Sequence, residues 1–279
     1  MIFIVLSILA SSAIMIIFRW FSSAGLNTRH AIMINYAIAA VTGFAVFTPT
    51  YNWTTAPWFW PASALGVLFY TIFRVMAKTT QENGVAVGVV VTKMSVIIPV
   101  LIGLFVLDED KNIYKLVGII SGLSAVLLTT NGHIKGKALL WPVILFLGSG
   151  AIDTLLNLFQ EWSVSEDDFP VFSSTVFSFA FITALIHHAT QRSDFRIDLK
   201  SAIGGLTLGV VNFGSIYFLM GALALPNLES SIVFPINNFG IVLLSTLGAI
   251  MIYKEMPSMK NWIGILLAFL AIWFLYLSK

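Results

Sequence analysis

The chain has 279 residues, 58% of them hydrophobic and 10% charged, with a net charge of +2 and no cysteine. Soluble domains carry about a quarter charged residues, so this composition, with a mean hydropathy of +0.93, excludes a water-soluble fold. The near balance of charge leaves no electrostatic footprint for nucleic acid. Without cysteine there are no disulfides, no thiolate nucleophile and no cysteine-held metal or cluster.

A bilayer core of about 30 Å is crossed by about 20 apolar residues in a helix. About ten segments of this kind follow one another. Residues 2–18 open the series; no cationic stretch precedes them and no cleavage signal follows, so they read as a first membrane helix and not a leader. Segment two spans 31–48 and holds Asn35 near its end. A connection with Trp53, Trp58 and Trp60 but no charge leads to segment three, 58–77. Segment four, 85–107, contains Lys93 and Pro99 and runs into Val106-Leu107-Asp108-Glu109. Segment five, 113–131, carries Gly118 and Gly122, a spacing that favours close helix packing.

Segment six, 138–159, contains Asp153 and Asn157. The purely acidic connection after it, with Glu161, Glu166, Asp167 and Asp168, reads as a solvated loop, since it lacks the ligand spacing of a calcium loop. Segment seven, 170–188, ends on His187-His188, adjacent residues that face different ways on a helix and mark an interface. Segments eight, 201–222, nine, 229–252, and ten, 260–278, hold Asn212, then Pro235, Asn237 and Asn238, then Gly264. The runs are long and continuous, unlike the short alternating strands of a membrane barrel.

Lys and Arg gather in the connections after odd segments: Arg19, Arg29, Arg74, Lys78, Lys135, Lys137, Arg192, Arg196, Lys200, Lys254 and Lys260. Even connections carry only Lys111 and Lys115. The charge bias predicts that odd connections are cytoplasmic and both termini are outside, with the tryptophans, Trp162 included, forming an outer interfacial belt.

The chain reads as two copies of one unit. Glu109 closes segment four and Gly118 follows nine residues later; Glu255 closes segment nine and Gly264 follows nine residues later. Both pairs are related by the same shift of 146. An odd number of helices per unit turns the second copy upside down, the plan of many secondary transporters. The predicted units are residues 1–134 and 135–279, in one membrane domain. The predicted fold class is an all-α integral membrane protein of about ten transmembrane helices, arranged as two inverted five-helix repeats.

Two five-helix units, each with a Glu closing its fourth helix and a Gly inside its fifth, resemble the EamA branch of the drug/metabolite transporter superfamily. Glu109, Gly118, Glu255 and Gly264 match its pattern; Asp110 and Met256 stand where its second motif has a basic residue. The resemblance covers the whole chain. It implies a carrier of small metabolites, amino acids or drugs, with a central cavity lined by helices 3, 4, 8 and 9 and parts of 1 and 6.

Charge at membrane depth is costly and usually faces a cavity or a partner. Lys93 and Asp153 are the ionisable residues furthest from segment ends. They read as a substrate or proton site, or as a structural ion pair. Asn212, Asn237 and Asn238 offer neutral amides to a polar solute, or to neighbouring helices. Asn35 and Asn157, nearer segment ends, read as structural. Pro99 and Pro235 free the carbonyls of Ser95 and Ser231 and read as kinks of segments four and nine beside a transport path, or as static bends. Glu109 and Glu255, near the interface, are expected to pack the helix-end turns.

No nucleotide-binding loop is present, so ATP does not drive the chain directly. The expected function is a secondary permease or exporter in the cytoplasmic membrane, working by alternating access on a small-molecule substrate. It is expected to use no cofactor or metal and not to be an enzyme; a homodimer is left open. The alternatives are an intramembrane enzyme acting on a lipid, which has no recognisable acid/base or metal set here, and a non-transporting membrane subunit.

Overall fold

A computed structural model describes residues 2–47, 49, 51–83, 91–129, 139–190, 197–253 and 258–278. The described residues are helical, without strands. The helices are α1 (Ile2–Ala24), α2 (Thr28–Val46), α3 (Phe59–Asn83), α4 (Ile97–Phe105), α5 (Ile113–Thr129), α6 (Leu140–Trp162), α7 (Phe169–Thr190), α8 (Leu199–Leu223), α9 (Ser230–Tyr253) and α10 (Met259–Leu277). Six of them, α2, α3, α6, α7, α8 and α9, are long and apolar enough to cross a membrane. The protein is a helical membrane protein.

In lipid, helices gain little by hiding apolar surface from water, and association rests on close packing and interhelical hydrogen bonds. Glycine supplies the close packing. A Cβ on Gly205 or Gly209 of α8 would stand 2.6 and 2.7 Å from the carbonyl oxygens of Ala31 and Asn35 on α2. A Cβ on Gly66 of α3 would stand 2.3 Å from the Val176 carbonyl oxygen of α7. The α2–α8 and α3–α7 pairs therefore touch backbone to backbone.

The remaining contacts follow one scheme. α1 lies on α8 and α9, and α6 lies on α3 and α4; α2 meets α7, α4 meets α9, and α5 meets α10. The two largest apolar cores follow from it. One, between α2, α3, α6, α7 and α8, is built on Tyr36, Trp58, Phe172, Phe177 and Phe213. The other, between α1, α4, α5, α8, α9 and α10, is built on Val96, Phe234, Phe239 and Leu275.

Contacts between connections define two poles. The Asn27 N–H donates to Ser201 Oγ at 3.0 Å, and the His30 and His188 rings meet edge-on at 5.4 Å. This is the basic pole, where Arg29, Arg74 and Lys200 lie. At the opposite, acidic pole, Tyr51 donates to Asp168, and Glu109 reaches Ser230. Asn27 caps α2 by accepting from the N–H groups of Arg29 and His30. Asp198 caps α8 in the same way through Ser201, since short polar side chains satisfy the free donors of a first turn.

Candidate functional site

The site begins at a proline. Pro99 has no N–H to offer the Ser95 carbonyl, and the chain answers by tightening. Ile98 N–H donates to Ser95 O at 3.0 Å, and Ser95 and Val96 form a turn between the helical residues 91–94 and α4. Ser95 Oγ also donates to the Thr92 carbonyl at 2.7 Å. Lys93 lies in the turn of helix just before this break. Pro235 acts differently: α9 runs through it without interruption.

Lys93 is 8% exposed. Its Nζ donates to Asn238 Oδ1 at 3.1 Å, and Asn238 Nδ2 donates to the Phe234 carbonyl at 3.1 Å. The second bond fixes which end of the amide faces the ammonium. An ammonium has three donors, and one is used here. Asp153 on α6 interacts with Lys93 electrostatically, but no ion pair joins them among the described residues. Asn237, one residue from Asn238, is buried and its Oδ1 has no hydrogen-bond partner.

A second row of polar groups stands on α6. Asp153, Asn157 and Gln160 recur at four and three residues, a spacing that puts them on one helix face. Asn157 Nδ2, Gln160 Oε1 and the neighbouring Thr154 Oγ1 are buried with no hydrogen-bond partner among the described residues. An unpaired buried amide costs about 1–3 kcal/mol, so these atoms call for water or a polar ligand. Asn157, which the sequence reads as structural, joins this row by its four-residue step from Asp153.

Lys93, just before the break that leads into α4, thus meets Asn238 of α9 and feels the charge of Asp153 on α6, with Asn237 the next residue along α9. Asn212 is not engaged there. Its Nδ2 donates to Asn35 Oδ1 at 3.1 Å, an interhelical bond in the α2–α8 contact.

The motif residues stand apart from this junction. The chain after α4 turns sharply, with Asp108 at φ +53°, a left-handed conformation that Asp tolerates. The turn aims the Glu109 carboxylate at the start of α9. Oε1 accepts from Ser230 N–H at 3.0 Å and from Ser230 Oγ at 2.5 Å, and Oε2 accepts from Ser231 N–H at 2.9 Å. Glu229 reciprocates. It accepts from the Asp110 N–H at 3.2 Å and pairs with Lys115, whose Nζ also donates to the Asp110 carbonyl at 2.6 Å. These bonds clasp the α4–α5 turn to the α8–α9 turn at the acidic pole. Gly118 on α5 lies against Leu275 and the Ala271 carbonyl of α10, and Gly264 is buried on α10. Glu255 lies outside the described residues.

No family model matches the chain. A protein of Haemophilus influenzae (strain ATCC 51907 / DSM 11121 / KW20 / Rd), described as an uncharacterized protein, is 26% identical over 286 residues, covering 98% of this chain and 97% of its own length. A solved crystal structure of a protein has a TM-score of 0.76 over 99% of this chain and 96% of that one. Its sequence identity is 15%, so the likeness concerns the fold alone.

Proposed function

We propose that the chain is a secondary carrier of the EamA type that moves a small polar solute across the cytoplasmic membrane by alternating access. One observation carries this reading. A buried ammonium, one turn before the break that leads into α4 of the first half, donates to an amide of α9 and feels the charge of a carboxylate on α6, with a second buried amide beside the first on α9. Broken helices with polar groups at the meeting of two repeats are where carriers bind their solutes.

The contact scheme supports two inverted repeats of five helices each. Exchanging α1 to α5 with α6 to α10 turns the α1–α8 contact into α6–α3, α1–α9 into α6–α4, and α2–α8 into α7–α3. It leaves α2–α7, α4–α9 and α5–α10 unchanged. In this reading all ten helices belong to the membrane unit. The basic pole faces the cytoplasm, following the bias of Lys and Arg. The clasp at the acidic pole holds the two halves together on the outer side. Opening it would give Lys93 access to that side, while the solute trades places with water on Asn157, Gln160 and Asn237.

Reconstituted protein in proteoliposomes tests the proposal. Lys93→Met is expected to abolish flux of a transported amino acid or metabolite while insertion and folding persist. If Asp153 and Lys93 are only a structural couple, Lys93→Met with Asp153→Asn recovers both stability and flux. Full transport by a well-folded Lys93→Met protein would remove Lys93 from the mechanism.

A further inference from the structure

We propose that Arg29, Tyr70, Arg74 and His187 form a binding site for the phosphate group of an anionic ligand at the basic pole. The four residues come from three helices. Arg29 is the second residue of α2, Tyr70 and Arg74 lie one turn apart on α3, and His187 lies in the last turn of α7. The α3–α7 and α2–α7 contacts bring them together.

His187 is the hub. Tyr70 OH lies 3.1 Å from its Nδ1, and Arg74 Nη1 lies 2.7 Å from Nδ1 and 2.6 Å from Nε2. The two ring nitrogens point apart, so this one close approach lets Nη1 serve at most one of them. The Tyr70 and His187 rings meet edge-on with centroids 5.9 Å apart. Arg29, at the start of α2, which packs on α7, places a second guanidinium at the same pole, and its positive charge acts on both Tyr70 and His187.

A count of donors against acceptors points to the missing component. Each guanidinium has five N–H donors and no acceptor. Arg74 spends a single Nη on His187. Arg29 makes no side-chain hydrogen bond to a described residue, and no described carboxylate lies within ion-pair distance of either arginine. Asp198, at the same pole, is engaged by Ser201 through both its N–H at 2.8 Å and its hydroxyl at 2.6 Å. The group is therefore rich in fixed donors and poor in acceptors. Two guanidinium forks beside a phenol match the several oxygens of a phosphate, which accepts bidentate bonds from arginine. Arg29 and Arg74 are exposed and Tyr70 and His187 half-buried, so the opening is toward the bilayer surface, within reach of a lipid headgroup or a soluble phosphate ester.

The test uses the full-length protein in phosphatidylcholine nanodiscs. One arm adds phosphatidylglycerol to the discs and counts retained lipid by native mass spectrometry; the other adds glycerol phosphate to the buffer and follows thermal unfolding. Retention of phosphatidylglycerol, with about a ten-fold loss in Arg29→Gln/Arg74→Gln and none in Lys260→Gln at the same pole, establishes a lipid headgroup site. Stabilisation by glycerol phosphate, lost in the same double variant, establishes a soluble ligand. If neither probe binds, or if Lys260→Gln loses as much as the double variant, the proposal fails and the pole is only a diffuse positive surface. Should the double variant not fold, a photoreactive phosphatidylglycerol decides on the wild type. Labelling confined to the peptides containing Arg74 and His187 supports the site; labelling spread over both poles overturns it.

Discussion

Replacing Glu109 by Gln should unlock the acidic pole, and the structure sets the size of the effect. Glu109 accepts three hydrogen bonds, with Ser230 N–H and Ser230 Oγ on one oxygen and Ser231 N–H on the other. A bond to a charged group contributes about 1.5–3 kcal/mol. Gln keeps one carbonyl oxygen and so preserves the Ser230 pair without the charge. Its amide nitrogen then faces the Ser231 N–H, donor against donor. Ser231 is fully buried, so water does not easily replace the lost acceptor. A loss of about 2 kcal/mol is expected at the start of α9, from one lost charged bond and one weakened pair. That corresponds to roughly a 30-fold fall in hydrogen-exchange protection at Ser230 and Ser231, since about 1.4 kcal/mol is a factor of ten. Exchange measured by mass spectrometry in nanodiscs resolves this segment. Unchanged protection there, in a folded Glu109→Gln protein, would refute the idea that this carboxylate holds α9.

Other outcomes follow from neighbouring geometry. Gly103→Ala puts a Cβ 2.8 Å from both Glu109 Oε2 and Ser230 Oγ, so it should reproduce the Glu109→Gln exchange pattern. Combined with that change it should add little, because contacting residues couple. Gly122→Ala puts a Cβ 1.9 Å from Phe239 Cε2; overpacking should cost about 1–3 kcal/mol, and Phe239→Leu should restore much of it in thermal unfolding. The hydroxyl and N–H of Ser201 hold the Asp198 carboxylate below its ordinary range. Stability from this cap is therefore present above the usual carboxylate value of about 3.9 and lost as pH falls through the lower folded value. Ser201→Ala should narrow that window, read from the pH dependence of exchange in the first turn of α8. The chain has no cysteine, so Cys at Thr55, Ser165 or Thr190 can be labelled singly. An impermeant maleimide on intact cells should modify positions 55 and 165 and spare 190; the reverse pattern would invert the proposed orientation.

The helices were legible because apolar length is a local property. The segments read as 201–222 and 229–252 correspond to α8 at Leu199–Leu223 and α9 at Ser230–Tyr253. Segment one was read too short: α1 continues to Ala24, past Arg19, because a cation near a helix end does not stop a helix. Pro99 announced the disturbance in segment four but not its form, a turn at Ser95–Val96. Partnerships were less legible. Nothing local to Asn212 shows that it meets Asn35, 177 residues away; that depends on how α8 slides along α2, which Gly205 and Gly209 set by their closeness to α2. Lys93 stood out because a charge in an apolar run has few explanations. The unpaired amides of α6 did not, because Asn and Gln are common in helix contacts and their spacing alone does not reveal which face is empty.

The clasp also bears on how the chain is made. Glu109 finds its partner 121 residues downstream, and Lys115 finds Glu229 114 residues downstream. At about 5–20 residues per second, a ribosome needs on the order of 10 seconds to supply them. During that interval the α4–α5 turn holds a carboxylate and an ammonium without these partners. Lys115, 1% exposed in the finished fold, has to stay hydrated until α9 arrives. The α4–α5 turn therefore reaches its final packing only after Glu229, Ser230 and Ser231 have been made, so its own helices form before the contacts that hold them.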